Sequence, residues 1–279
     1  MMIKSDLIAN SVNESGQRFC TYVLTYPRFI HAEVMTHRVF SRNASSSRAI
    51  PLKKSLKNVF DNPVVPRFWG KNERGMQASK SLTKGKEFLA KLLWKASVYT
   101  NLLYAKLFDI LDLHKQLSNR IIEPYSHITT ILSGTEFTNF FYLRVNKNAQ
   151  PEFQELAFQM LCQYIDREPN LIRVGDWHLP FADKYIAEDL STDNLLKIAT
   201  ARCARVSYLN FEGDIDHEKD YALHDRLAKE GHYSPFEHCA VATATGSWKQ
   251  YRKFIQNENH LLSFNQLMQL RSEYVRQKT

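Results

Sequence analysis

The order of apolar and polar positions along the chain predicts few strands and many helices. Residues 2–26 read as two strands around a turn at Asn13-Glu14-Ser15-Gly16, the second running from Phe19 to Leu24. Pro27 then opens a helix from Phe29 to Phe40, with Ile30, Val34, Met35 and Val39 along one apolar face. The small polar residues Ser41 to Ser47 break it. Val59 to Gly75, punctuated by Pro63, Pro66, Gly70 and Gly75, is expected as a surface loop. Leu82 to Ile122 is strongly helical, with two helices expected to join near Asp112. A short extended piece after Pro124 leads to a helix from about Thr135 to Leu143, and a further helix spans Pro151 to Tyr164. Asp176 to Pro180 reads as loop and Asn194 to Cys203 as helix. His217 to Lys229 is a helix ended by Gly231, Cys239 to Thr245 a strand, and Leu261 to Val275 a closing helix. Strands and helices that do not alternate regularly predict an α+β fold rather than a doubly wound sheet.

Composition narrows the possibilities. At 279 residues, 44% hydrophobic and 12% aromatic, the chain holds enough apolar mass for one large core. No apolar run approaches the ~18 residues of a membrane span, and the first residues lack a secretory apolar region, so a cytoplasmic protein is expected. Cys20, Cys162, Cys203 and Cys239 form no CxxC pair and read as buried free thiols. A net charge of +8 fits a solvated basic face with weak nucleic-acid affinity, and equally a site that gathers anionic ligands.

Three segments could carry chemistry. Thr36-His37-Arg38-Val39-Phe40-Ser41-Arg42-Asn43-Ala44-Ser45-Ser46-Ser47-Arg48 offers four serine hydroxyls, backbone N–H groups and three arginines. That set suits a phosphate, although a polar loop ending a helix also explains it. Gly231-His232-Tyr233-Ser234-Pro235-Phe236-Glu237-His238 sets two histidines around a glutamate. Its spacing fits no zinc ligand set, and Pro235 prevents a regular helix from aligning the ligands, so no metal is expected. The third segment is Arg120 to Pro124 followed by Thr135 to Arg144 and Ala149-Gln150. As a helix it places Thr135 and Asn139 opposite Phe137 and Phe141 and ends in the cation Arg144, which a plain amphipathic surface helix would also do.

Together these segments resemble the flavin-dependent thymidylate synthases. That family's signature is Arg-His-Arg, two free positions, Ser, one free, Asn-Glu, one free, Ser, one free, Arg. His37, Arg38, Ser41, Asn43, Ser46 and Arg48 match it. His232 to His238 is similar to the family's His-x-Ser/Thr-Pro-Phe-Glu-His motif, and Ala204-Arg205-Val206-Ser207-Tyr208 to its Ala-Arg-Val-Ser-Tyr segment. Arg120 to Pro124 and Arg144 to Gln150 resemble its later arginine-bearing segments. The order differs: in the family the Ala-Arg-Val-Ser-Tyr and Ser-Pro-Phe-Glu-His segments precede the signature, whereas here they follow it, at residues 204 to 238. The pattern is that of a circular permutation within one domain over 1–279, with the signature half in 1–165 and the Ser-Pro-Phe-Glu-His half in 190–279. The strand ending at Leu24 and the strand from Cys239 are then expected in one sheet. Four positions depart from the family: Glu33 for glutamine, Thr36 for arginine, Ala44 for glutamate, and Ala49 for an aromatic residue.

The resemblance implies a mainly antiparallel sheet flanked by helices and an enzyme that alkylates C5 of dUMP. FAD would be the cofactor, with methylenetetrahydrofolate and NADPH as co-substrates. By the same resemblance Arg144 activates the base. Glu33, Thr36, Ser45, Ser46, Ser47, Arg48 and Arg120 would join Arg144 around the nucleotide. His37, Arg38, Ser41, Asn43, Ser133, Thr135, Asn139, Ser207, Ser234 and Glu237 would line the flavin site. A homotetramer is implied, with no nucleic acid or membrane as partner. The departures leave open a related product, such as a hydroxymethyl group on a deoxyuridine or deoxycytidine nucleotide. The charge leaves open a non-catalytic nucleic-acid-binding protein, and a degenerate relative with structural duties is a third reading.

Overall fold

The computed structural model describes residues 3–75, 77–182, 185, 190–207, 216–255 and 263–277, with the Ser207 side chain outside that set. Strands β1 (Lys4–Asn13) and β2 (Arg18–Pro27) form the opening hairpin. Its turn works because Gly16 takes a φ of 83° and Asn13 Oδ1 accepts from the amides of Ser15 and Gln17. The expected helix after Pro27 is shorter than its apolar spacing suggested. A 3-10 turn, Arg28–Ile30, leads into α1 (His31–Thr36), which buries Ile30 and Val34 but leaves Met35 and Val39 exposed. The stretch expected only to break that helix contains a strand, β3 (Ser41–Ala44).

Next come α2 (Leu52–Asp61), α3 (Lys84–Ile110) and the short α4 (Lys115–Ser118). The long helix stops where expected, at Asp112, whose φ of 56° no helix accommodates. A 3-10 segment, Arg120–Tyr125, leads into β4 (His127–Gly134). Helix α5 begins only at Thr138 and ends at Arg144, so Thr135 is not on the polar helical face proposed for it. Then follow α6 (Pro151–Asp166), β5 (Asn170–Ile172) and β6 (Trp177–His178), the last inside a stretch expected as loop. The remaining elements are α7 (Thr192–Ala204), α8 (His217–Glu230), β7 (Ala240–Ala242), β8 (Trp248–Gln250), α9 (Arg252–Ile255) and α10 (Phe264–Arg276). Gly231 ends α8 in the left-handed conformation that its place after the helix predicted.

The fold is α+β. A five-stranded sheet in the order β3-β4-β2-β1-β5 is antiparallel apart from the β1–β5 pair. A separate three-stranded sheet has the order β6-β7-β8. The expectation that the strand after Cys239 joins the strand ending at Leu24 is therefore corrected. β7 has only three residues and pairs with β6 and β8, while both edges of β2 are taken by β1 and β4.

α6 covers β1 and β2 over a core of Tyr22, Phe40, Phe137, Phe140, Phe153 and Leu156. Burial of each such side chain stabilises by roughly 1.5–3 kcal/mol. α7 and α8 enclose a second core around Ile198, Phe236 and Tyr251. Ile131 of β4 packs with Cys203 and Val206, so the end of α7 lies against the larger sheet. Cys20, Cys203 and Cys239 are buried and Cys162 is half-buried, all as free thiols.

Candidate functional site

The short strand β3 organises the site. Ser-Arg-Asn-Ala has little strand propensity of its own, so pairing with β4 holds it, from Ser41 opposite Ser133 to Ala44 opposite Thr130. Arg42 donates to the carbonyls of Met35 at 2.7 Å and His37 at 3.2 Å, satisfying acceptors left by the end of α1. Gly134 permits the turn between them: a Cβ there would stand 2.7 Å from Phe40 Cδ1. Phe40 then packs edge-on against Phe140, three residues after His37.

At the Ser41 end of β3, α5 delivers Arg144 to His37. Arg144 Nε donates to His37 Nε2 at 2.7 Å, Nη1 lies 3.8 Å from Glu33, and the guanidinium sits 4.6 Å above the Phe153 ring. Accepting at Nε2 requires a neutral His37 protonated on Nδ1. Burial first, and then the charges of Arg144 and Arg42, lower its pKa to about 4.

The centre of β3 meets the C-terminal segments. Asn43 donates to the Cys203 carbonyl at 2.6 Å, and its Oδ1 lies 3.5 Å from the Ser234 hydroxyl. Ser41 Oγ accepts from Gln250 Nε2 at 2.8 Å, and Gln250 also donates to the Glu237 carbonyl. The Glu237 carboxylate is held by Arg252. The signature strand, the end of α7 and the Ser-Pro-Phe-Glu turn thus form one hydrogen-bonded patch.

Beyond Ala44 the loop turns into a cavity of about 560 Å³. Buried Ser45 and Ser47 line it with Arg28, Asn119, Glu123 and Val206. Ser45 Oγ accepts from the Thr129 amide, and Asn119 Nδ2 donates to the carbonyls of Ser47 and Ile50. Arg28 is paired with Glu123 at 3.2 Å, and burial lowers the pKa of His127, on the same wall, to about 4. Ser46 is half-buried, while Arg48 and Arg120, sequence neighbours of lining residues, are exposed. Arg120 donates to the Glu123 carboxylate at 3.2 Å.

The other expected site residues scatter. Arg38, Asn139 and Ser234 are exposed, and Thr135 is half-buried. Thr36 is exposed and donates to the Glu33 carbonyl. Ser133 is fully buried and its hydroxyl is committed to Thr21 at 2.7 Å and His238 at 2.8 Å. That contact belongs to a buried chain, Ser11–His178–Thr21–Ser133–His238, with links of 2.7–2.8 Å. Burial lowers both histidines to a pKa of about 3 and keeps them neutral. Sequence reasoning missed Gln250, Arg252, Phe153 and Asn119, which hold the predicted residues in place. No local pattern marks them, because their contacts cross 9 to 209 positions in the chain.

No family model matches the chain, and no curated protein does. Among solved structures, the UMP/dUMP methylase PolB from Streptomyces cacaoi bound with 5-Br UMP overlays with a TM-score of 0.47. Identity is 11%, over 59% of this chain and 89% of that one. The same protein bound with 5-Br dUMP gives a TM-score of 0.46 and 12% identity, over 59% of this chain and 91% of that one. A likeness this distant carries nothing about residues or chemistry.

Proposed function

We propose that this protein transfers a one-carbon unit from methylenetetrahydrofolate to C5 of dUMP with FAD as cofactor, most simply as reductive methylation to dTMP. The observation that carries the proposal is the bridge made by Asn43. It links the signature strand to the end of α7 through Cys203, the residue before the Ala-Arg-Val-Ser-Tyr segment, and to the Ser-Pro-Phe-Glu turn through Ser234. Motifs about 160 and 190 positions away thus meet on one strand, which chance resemblance in separate loops does not require.

The donor set fits a flavin. Ser234 is exposed at Asn43, and Arg38, three positions before Ser41 in the chain, is exposed as well, offering a cation for a pyrophosphate and hydroxyl and amide groups for a polar ring edge. Arg38, His37, Ser41, Asn43, Ser234 and Glu237 would hold the cofactor, which supplies the redox chemistry when bound.

The chain's own task is to raise electron density at C5 of a poorly nucleophilic ring. A cation at the O2/N3 edge does this by stabilising the developing anion, and a rigid, permanently charged guanidinium suits that role. Arg144 is held by His37, Glu33 and Phe153 and does not swing freely. The competing route, a thiolate adding at C6, is poorly served. Burial pushes Cys20 and Cys239 up to about 12 and raises Cys203 as well, keeping all three protonated. Arg48 and Arg120 would take the phosphate at the mouth of the cavity. Ser41 and Ser45 are separated by roughly 13 Å of strand, so Arg144 and the cavity lie at opposite ends of β3. The reading therefore includes an assembly in which copies complete one another's sites.

One observation favours a different product on the same scaffold. Glu33, where the resembled family has glutamine, puts a carboxylate 3.8 Å from Arg144. A carboxylate there accepts from an exocyclic amine and so favours a cytosine nucleotide as the substrate. Equilibrium titration with FAD, followed by mass spectrometry of products from dUMP or dCMP with methylenetetrahydrofolate and NADPH, tests both readings. FAD binding with a dUMP product heavier by one CH2, the C5 hydrogen replaced by methyl, is expected. No FAD binding at micromolar concentration removes the proposal and leaves the basic surface to a nucleic-acid role.

A further inference from the structure

Helix α3 has two apolar faces, and the described residues pack against one. Val98, Leu102 and Ala105 are buried against Leu52, Val59 and Ile122, with Trp94 partly buried beside them. At 100° per residue the opposite side carries Leu89, Leu92, Ala96, Tyr99, Leu103 and Ile110. Leu89, Leu92, Tyr99, Leu103 and Ile110 are each more than half exposed. Phe88, Leu93 and Leu107 widen the stripe and are exposed too.

The spacing of the outer face is specific. Positions 89, 92, 96, 99, 103, 106 and 110 alternate steps of three and four, the seam of a two-helix coiled coil over about 32 Å of helix. Lys106 is the one polar residue on it. Surface helices of monomers carry polar residues there, and an apolar stripe of this length marks an interaction surface.

Charge selects the partner. Residues 84–97 hold four lysines and one glutamate, a net +3, whereas residues 98–112 hold Lys106 against Asp109 and Asp112, a net −1. Two copies laid parallel would set +3 against +3. Laid antiparallel, each lysine-rich half meets the acidic half of the other copy, and the helix dipoles oppose favourably. A two-fold axis near the middle of α3 makes the face self-complementary.

We infer that the outer face of α3 pairs antiparallel with α3 of a second copy of this chain, through Leu89, Leu92, Tyr99, Leu103 and Ile110. The pairing does not depend on the flavin reading. A protein that binds FAD and assembles through another face loses this surface alone, and one that pairs through α3 without binding FAD loses the functional reading alone.

Sedimentation velocity of the full chain at micromolar concentration tests it. The expected species is a dimer or a larger even assembly, and Leu92→Glu or Leu103→Glu weakens association about tenfold or more. Both positions are exposed in the single chain, so the circular dichroism of either variant stays as in the parent. Orientation is read with spin labels in a Cys162→Ser background. Labels at Thr100→Cys lie close across the pair, and those at Lys86→Cys lie far apart. A single 32.6 kDa species overturns the inference. So do an assembly indifferent to both glutamates, short distances at both label positions, or a monomer that uses this face to bind anionic vesicles.

Discussion

Arg144 donates its Nε–H to Nε2 of His37, so the residue proposed to activate the base is oriented by the histidine of the signature. The pair joins α5 to the turn before β3 across 107 positions. Its physical content is a requirement: His37 must be neutral and protonated on Nδ1 for the guanidinium to keep its direction.

Replacing Arg144 with alanine should lower turnover of the nucleotide by about a hundredfold or more, the usual scale for losing an oxyanion-type donor. Lysine should restore little, since an ammonium cannot donate to His37 and face a planar ring edge together. FAD affinity should change much less. Steady-state kinetics beside flavin titration separate the two effects, and an active Arg144→Ala enzyme would assign the chemistry elsewhere.

Acid should unfold the protein through His178 and His238. Their folded pKa values, about 3, lie below the usual 6.5, so the stabilisation is full above pH 6.5 and is lost as pH falls toward 3. Within that window each histidine should cost about 1.4 kcal/mol per pH unit. Urea unfolding at pH 7, 6 and 5 measures it. The His178→Gln/His238→Gln double variant should show a shallower decline than the parent, and equal slopes would contradict the assignment.

Asn43→Ala removes the donor to the Cys203 carbonyl and should destabilise by about 1–3 kcal/mol. Because the same side chain reaches Ser234, flavin binding should weaken in a variant still folded at room temperature. Thermal melts and flavin titration on one preparation report both. A stable variant with unchanged flavin affinity would reduce the bridge to a surface contact.

Arg48→Ala should weaken dUMP binding far more than FAD binding, by the roughly 1.5–3 kcal/mol of a charge-assisted pair. Arg48 is exposed, so the fold should be unaffected. Calorimetric titration with each ligand decides it, and equal loss of both would mean that the loop serves the architecture.

Much of the local structure was legible in the sequence because it rests on short-range physics. The opening hairpin follows from Asn13 and Gly16, the start of α6 from Pro151, and the end of α8 from Gly231. Each acts through its own backbone preference or a bond to a residue a few positions away. The motif residues and their chemical types were also visible, since a short pattern of side chains needs no tertiary information to be read.

Tertiary structure decided the rest. Ser41–Ala44 is a strand only because β4 offers an open edge, and no propensity in those four residues calls for one. Ser133 looked like a ligand contact, yet Thr21 and His238 use its hydroxyl in the core. The Cys239 segment reads as strand from its apolar residues, but only its pairing with β6 and β8 puts it in the smaller sheet. Above all, the division of the arginine-rich signature, with His37 at Arg144 and Ser45 and Ser47 at the cavity, arises from the direction of one short strand. Residue types and local turns are properties of neighbours in sequence. Which distant groups share a surface depends on how separate elements bury their apolar faces, and that is settled only when the whole chain packs.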